Sequence, residues 1–168
     1  MNAESGDTSW YQYLYGGEPL FDDNLGGNCP GCGGMRVWTG YHPAVQPFDS
    51  EPAVASYVNA LKSVCPSCDA HNEFTEGDYI GAQLFIAGLK AVADKNEPLT
   101  RANLQSALDS LSLDDGLTAV PLQFNSSLHL ANTAMAGFSD NFSGSFNGWT
   151  YMNTNFVPDP APVQDLQG

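Results

Sequence analysis

The spacing of apolar residues predicts three helices in the middle of the chain. The longest covers Glu73–Ala93, where apolar side chains recur at helical intervals until most of the circumference is apolar. We expect such a helix to be buried on more than one side. A shorter helix is predicted from Ser50-Glu51-Pro52, which supplies a hydroxyl, an acid and a first-turn proline, to a stop at Pro66. Thr100 caps the third, which we expect to end at Asp114-Asp115-Gly116.

Strand-like stretches lie on both sides of these helices. Trp10–Tyr15 is dense in aromatic residues, and Met35–Tyr41 is a second predicted strand. After the helices, Leu117–Phe124 and Phe146–Phe156 favour strands, whereas Leu128–Phe138 fits a helix or a strand equally well. The order of elements predicts an α/β fold in which three main helices pack with short strands.

Composition sets the broad class of protein. The chain has 168 residues, 5 basic and 19 acidic, for a net charge of −14, which repels phosphates and argues against nucleic-acid binding. We expect one domain over residues 10–157, with a disordered N-terminus at 1–9 and a disordered Pro- and Asp-rich tail at 158–168. The first residues have no signal-peptide pattern, and no apolar run reaches the roughly 18 residues of a membrane helix. Taken literally, the chain is soluble and starts in the cytoplasm.

The four cysteines form two CxxC pairs, Cys29 with Cys32 and Cys65 with Cys68. Such pairs build four-thiolate zinc sites, although the segment between these two is longer than in a compact zinc ribbon. Disulfides in an exported protein are the competing interpretation, and reactive thiols are a third. The sequence favours disulfides and leaves the other two open.

No catalytic motif is present, so we predict that the chain is not an enzyme and uses no cofactor. The histidines His42, His71 and His129 lack the spacing of metal ligands. Acidic pairs such as Asp114-Asp115 lie in turn-like contexts, where carboxylates usually cap or face solvent.

Binding chemistry has better support. Aromatic walls and a few polar groups make a pocket for a small zwitterion. The candidates at strand ends and helix starts are Tyr15, Glu18, Tyr41 and Tyr79. In the long helix, Gly81 and Gly88 each cost about 1 kcal/mol relative to alanine. We expect their small size to let another element approach.

Three segments resemble one known family. They are EPAVASYVNALKSV, GDYIGAQLFIAGLKAV and LTRANLQSALDSL, preceded by a Gly-Glu-Pro turn between two strands. In this order they resemble the C-terminal portion of the type I periplasmic binding proteins, and most of all the leucine/isoleucine/valine-binding branch of ABC transporters. The resemblance covers roughly residues 10–157. It implies the C-terminal part of a two-lobed periplasmic-binding-protein-like α/β fold, as a fragment or a reduced relative.

The resemblance also implies roles for single residues. Glu18 matches an acid that holds a ligand ammonium, Tyr79 an aromatic residue that lines the cleft, and Tyr41 a position at the end of the second strand. The implied function is extracytoplasmic binding of an amino acid or similar small polar solute. A membrane permease would be the partner, and the full-length parent would be periplasmic or cell-surface.

Two alternatives come from other classes. The first is a structural, self-associating extracellular protein derived from such a module, because apolar faces without a partner favour association. The second is a small zinc or disulfide protein organised by its CxxC pairs. Neither the ligand nor the oligomeric state follows from the sequence.

Overall fold

A computed structural model describes most of the central chain, over residues 15–16, 34–45, 47–118, 120–124, 134–140, 149–152 and 157–158. Three α-helices lie in these residues, and we label them α1 (Pro52–Val64), α2 (Glu73–Asp94) and α3 (Arg101–Leu108). All three were predicted, and the long central helix has nearly the predicted bounds.

The helix starts follow local capping chemistry. At α2, the Asn72 side chain accepts hydrogen bonds from the amides of Phe74 and Thr75. At α3, Thr100 Oγ1 accepts from the Asn103 amide at 3.1 Å, so the predicted cap is confirmed. At α1 the cap position is Glu51, which makes no side-chain capping bond.

The predicted end of α3 is wrong. The helix stops at Leu108, and Ser112–Leu113 already form a strand, β3 in chain order. The amides of Ser110 and Leu111 donate to carbonyls three residues earlier, which tightens and closes the last turn. Asp114-Asp115-Gly116 therefore belongs to the loop after β3.

The main sheet has strands β1 (Tyr15–Gly16), β2 (Arg36–Thr39), β5 (Ala134–Asp140) and β6 (Trp149–Tyr151) in the spatial order β1-β2-β5-β6. β1 runs parallel to β2, and the other neighbours are antiparallel. β7 (Val157–Pro158) also pairs with β5. The predicted disorder of the tail remains a prediction for the residues after β7.

The strand β5 includes residues 134–138 of the stretch that fitted a helix or a strand, and the rest of that stretch lies outside the described residues. Its buried residues Ala136 and Phe138 alternate with the more exposed Met135 and Ser139, which is the period of a strand. Val37 and Phe138 are register partners across β2 and β5. Tertiary pairing with β2 therefore decided the structure of this segment.

One hydrophobic core joins the sheet to the first two helices. Its largest fully buried apolar side chains come from β2 and β5, α1 and the adjoining loops, and α2 adds Ile80. They include Met35, Val37, Val54, Tyr57, Leu117 and Phe138. A smaller sheet pairs β3 with β4 (Leu122–Gln123), and a bridge from Tyr41 to Thr118 links that region to the end of β2.

Of the two glycines expected to let another element approach, Gly81 and Gly88, one does so. A Cβ on Gly88 would lie 2.8 Å from Leu108 Cδ2, so α3 packs directly on that turn of α2. A Cβ on Gly81 would meet none of the described residues within 4 Å. The expectation is confirmed for Gly88 and wrong for Gly81, which opens onto a groove.

The outer face of α2 is less buried than its apolarity predicts. Phe85 is 52% exposed and Ile86 is 49% exposed. The expected burial on more than one side is therefore incomplete within the described part of the chain.

Candidate functional site

Tyr41 lies two residues after the end of β2 and beside the N-terminal end of α2. Its amide donates to Thr39 Oγ1 at 3.1 Å. A Cβ placed on Gly77 would be 3.3 Å from the Tyr41 hydroxyl oxygen, so this hydroxyl packs on the first turns of α2. Tyr41 and Tyr79 thus both lie near the N-terminal end of α2, but Gly77 and Tyr79 are rotated by about 200° from each other, so the two tyrosines lie on different sides of the helix.

Tyr79 packs against a second tyrosine. Its ring centroid is 5.2 Å from that of Tyr57, and the two planes are tilted by 57°. Tyr57 is fully buried, and its hydroxyl donates to the Ala70 carbonyl at 3.3 Å. Tyr79 keeps part of its surface exposed. Tyr57 therefore holds one side of the Tyr79 ring in place, and the exposed part of that ring can contact a solute.

Two buried acids lie in the first turn of α2. Glu73 and Glu76 are 5% and 2% exposed. Burial raises the pKa of Glu76 to about 9, and the negative charges of Asp115 and then Glu73 add to the shift. Glu76 is thus neutral at pH 7, and a protonated carboxyl can donate one hydrogen bond as well as accept others.

Asp115 comes to this cluster from the loop after β3. Its Oδ1 accepts from the Leu117 amide at 2.9 Å, so the predicted turn role is confirmed. Its Oδ2 is buried, and so is Glu76 Oε1; neither oxygen has a hydrogen-bond partner in the described residues. The expectation of a solvated turn carboxylate is therefore wrong for that oxygen.

The cluster also acts on Tyr57. Burial raises the pKa of the Tyr57 phenol, and the charges of Glu76 and Asp69 raise it further. The phenol stays protonated, so its hydrogen bond to Ala70 persists across the physiological range.

Sequence reasoning missed Glu73 and Glu76 as buried groups. The signal was their spacing, because Glu73, Glu76 and Ile80 fall at i, i+3 and i+7 on one helix face. An acid that continues an apolar stripe must be desolvated when that stripe packs.

The other predicted binding residues are not brought to this cluster by anything the structure describes. Tyr15 lies in β1 opposite Arg36, and its side chain is outside the described part. Glu18 also falls outside the described residues. Its contact with a ligand ammonium therefore stays a prediction.

The second CxxC pair is a disulfide. Cys65 and Cys68 are bonded with their Cα atoms 5.3 Å apart, which confirms the favoured interpretation for this pair. Lys62 Nζ donates to the Cys68 carbonyl and, at 3.4 Å, to that of Pro66. In this oxidised state the two sulfurs are not the thiolates that zinc needs. Cys29 and Cys32 fall outside the described residues, so their chemistry stays a prediction.

A cavity of about 430 Å³ lies where α1 meets the loop before α2. Charged groups of both signs line it, namely Lys62, Asp49 and Asp69, together with His71 and Asn59. His71 Nδ1 is 3.2 Å from Asp69 Oδ1. The cavity has the size of a small-molecule pocket, and its mixed charge suits a zwitterion.

Two further properties limit the chemistry of the described residues. They contain no cluster of three or more His, Cys, Asp or Glu side chains arranged to hold a metal ion. None of their helices combines the length and apolarity required to cross a membrane.

Comparison with known proteins gives one informative match. The chain matches no family profile and no curated protein. Among solved structures it is similar to a fatty acid ABC transporter substrate-binding protein from Thermomonospora curvata, with a TM-score of 0.65 and 19% identity. The match covers 86% of this chain and 36% of that protein.

The match defines the class of fold. The described α/β arrangement of three helices and small sheets is a partial fold of the ABC transporter substrate-binding proteins, as the sequence predicted. The chain spans about a third of the length of its structural neighbour. At 19% identity the similarity shows the fold alone, and the leucine/isoleucine/valine branch is not confirmed.

Proposed function

We propose that this chain is part of the extracytoplasmic solute-binding component of an ABC-type uptake system. The observation that carries the proposal is the similarity of the fold to a transporter substrate-binding protein, and the part-exposed Tyr79 near the start of α2 supports a binding surface there. The activity is binding without catalysis. The partner of the complete protein would be a membrane permease.

We propose an amino acid or a similar small polar solute as the ligand. Tyr79 would form an aromatic wall on the support of Tyr57. The buried neutral Glu76 would keep negative charge away from the ligand carboxylate. Glu18 would hold the ammonium, a role that rests on the sequence resemblance.

Calorimetric titration of the full chain with a panel of amino acids tests the proposal. One or more should bind, and Tyr79→Ala should weaken that binding by about tenfold, the typical loss of an aromatic anchor. Phe74→Ala is the matched control, because Phe74 is an exposed aromatic residue on another side of α2. Its affinity should equal that of the unaltered chain.

Two more variants test where the solute binds. Glu18→Gln should weaken binding of the whole amino acid but not of its deaminated analogue. Asp69→Asn should matter only if the solute sits in the mixed-charge cavity beside α1. If no amino acid in the panel binds, the proposed ligand class is wrong. If a fatty acid binds and its binding requires Tyr79, the ligand of this site is a fatty acid, the class named for the structural neighbour.

A further inference from the structure

A second cavity, on another side of α2, has its own chemistry. This groove runs between α2 and α3 and encloses about 580 Å³, within the size range of ligand pockets. Its apolar lining consists of Gly81, Leu84, Phe85, Leu104, Leu108 and Phe124. Consecutive residues of an α-helix are rotated by about 100°, so Gly81 points almost opposite to Tyr79. The groove therefore lies on the other side of α2 from Tyr79.

Gly81 keeps this groove open. Apart from proline, glycine is the residue that destabilises the interior of a helix most. At Gly88 that cost has a structural reason, because Leu104 and Leu108 occupy the space of its missing side chain. At Gly81 no described residue lies close enough, within 4 Å, to give such a reason. What the missing side chain leaves is unfilled volume at the groove wall.

The charges at the two ends of the groove differ in sign. Arg101 lines it at the N-terminal end of α3, and Asp109 lines it just beyond the C-terminal end. Arg101 makes no ion pair in the described part of the chain. The positive end of the α3 dipole adds to the guanidinium charge at that end. In a chain of net charge −14, this is a local site for a negative group.

The length of the groove suits a short alkyl chain. The eight residues of α3 extend over about 12 Å, and Leu104 and Leu108 lie along that length on the side facing α2. A ligand with a carboxylate at Arg101 would direct its tail past both leucines toward Phe124.

We propose that the groove between α2 and α3 binds a fatty-acid-like amphiphile, its carboxylate beside Arg101 and its alkyl chain on the apolar lining. Charge complementarity and the open volume at Gly81 identify the occupant. The site does not depend on the solute site proposed above, so either can fail alone.

Calorimetric titration of the full chain with decanoate, below its micellar concentration, tests the site. Decanoate should bind, and Gly81→Leu should reduce its affinity by at least about tenfold, because the leucine fills the volume of the tail. The matched control is Ala82→Leu, which adds the same side chain at the next, exposed position outside the groove. Its affinity should stay within about twofold of the unaltered chain.

The head group is tested separately. Arg101→Gln should weaken the binding of decanoate by about two- to fivefold, the range of a solvent-exposed ion pair. The affinity for 1-decanol, which has no carboxylate, should not change. Tyr79→Ala should not affect decanoate. Equal decanoate affinity in Gly81→Leu and the unaltered chain would overturn the proposal. The proposal would also be overturned if the folded chain did not bind decanoate. This holds as well if sedimentation shows a dimer in which a second copy covers the groove.

Discussion

Gly88 of α2 lies so close to Leu108 of α3 that a Cβ would come within 2.8 Å of Leu108 Cδ2. Two turns earlier on the same helix, a Cβ on Gly81 would have no described neighbour within 4 Å. The two glycines have the same intrinsic cost and opposite surroundings, which makes them a matched pair of test sites.

Substitution of each glycine by alanine should have opposite outcomes. Gly81→Ala should raise the free energy of unfolding by about 0.5–1 kcal/mol, because alanine favours the helix and meets no neighbour. Gly88→Ala gains the same propensity but must displace Leu104 and Leu108, which costs about 1–3 kcal/mol. We therefore expect Gly88→Ala to be less stable than Gly81→Ala by about 1–3 kcal/mol in urea denaturation. Equal stabilisation of both would show that α3 does not pack on Gly88.

The buried Glu76 should make stability depend on pH. Its pKa rises from an ordinary 4.5 to about 9 in the folded chain, so between these values the folded state holds a proton that the unfolded state has lost. Stability should be complete below about pH 4.5 and fall by up to about 1.4 kcal/mol per pH unit as the pH rises toward 9. Urea denaturation from pH 5 to pH 8 measures this slope.

Glu76→Gln is the control for that slope. Glutamine keeps the shape of the neutral acid and does not titrate, so the profile of the variant should be flatter over the same range. Parallel profiles for the two proteins would mean that Glu76 is charged in the folded state.

Removal of the Tyr57 hydroxyl should cost more than removal of the Tyr79 hydroxyl. Tyr57→Phe deletes the bond to the Ala70 carbonyl and should lower the free energy of unfolding by about 1 kcal/mol. Tyr79 is only half-buried, so Tyr79→Phe should change stability by less than about 0.5 kcal/mol. Thermal and urea denaturation of both variants give the comparison, and equal losses would contradict the distinct roles of the two rings.

The disulfide between Cys65 and Cys68 should add only modest stability. A sequence separation of three closes a very short loop, for which chain entropy predicts about 2 kcal/mol. The double substitution Cys65→Ser and Cys68→Ser should therefore unfold at lower urea concentration and still fold. Because Lys62 donates to two carbonyls of this loop, Lys62→Met in the double variant tests the remaining anchor. A substituted chain that cannot fold would show that the bridge stabilises much more than its own loop.

The local parts of the structure were predictable because their causes are local. Thr100 caps α3 through its own side chain, and Pro52 begins α1 because proline tolerates the first helical turn. The family resemblance placed these helices in a substrate-binding-protein fold, and the structural match supports that fold. The end of α3 was misjudged because Leu111 continues the apolar spacing although the backbone has already left the helix.

The candidate site was predictable only in part. Tyr41 and Tyr79 were predicted from their positions at the end of a strand and the start of a helix; Tyr41 packs on Gly77 and Tyr79 on Tyr57, and their shared role in binding stays a prediction. Glu76 and Asp115 are far apart in sequence, and only the packing of the loop after β3 on α2 makes them neighbours. Their burial and the pKa shift of Glu76 arise from that contact.

The sequence by itself therefore determined where the helices lie, because periodicity and capping act over a few residues. It also determined a net charge that repels nucleic acid. Tertiary structure decided which glycine of α2 is packed and which is open, that 134–140 is a strand, and that Glu76 is buried beside other acids. These outcomes depend on which distant surfaces meet and lose water, a property that no short segment carries.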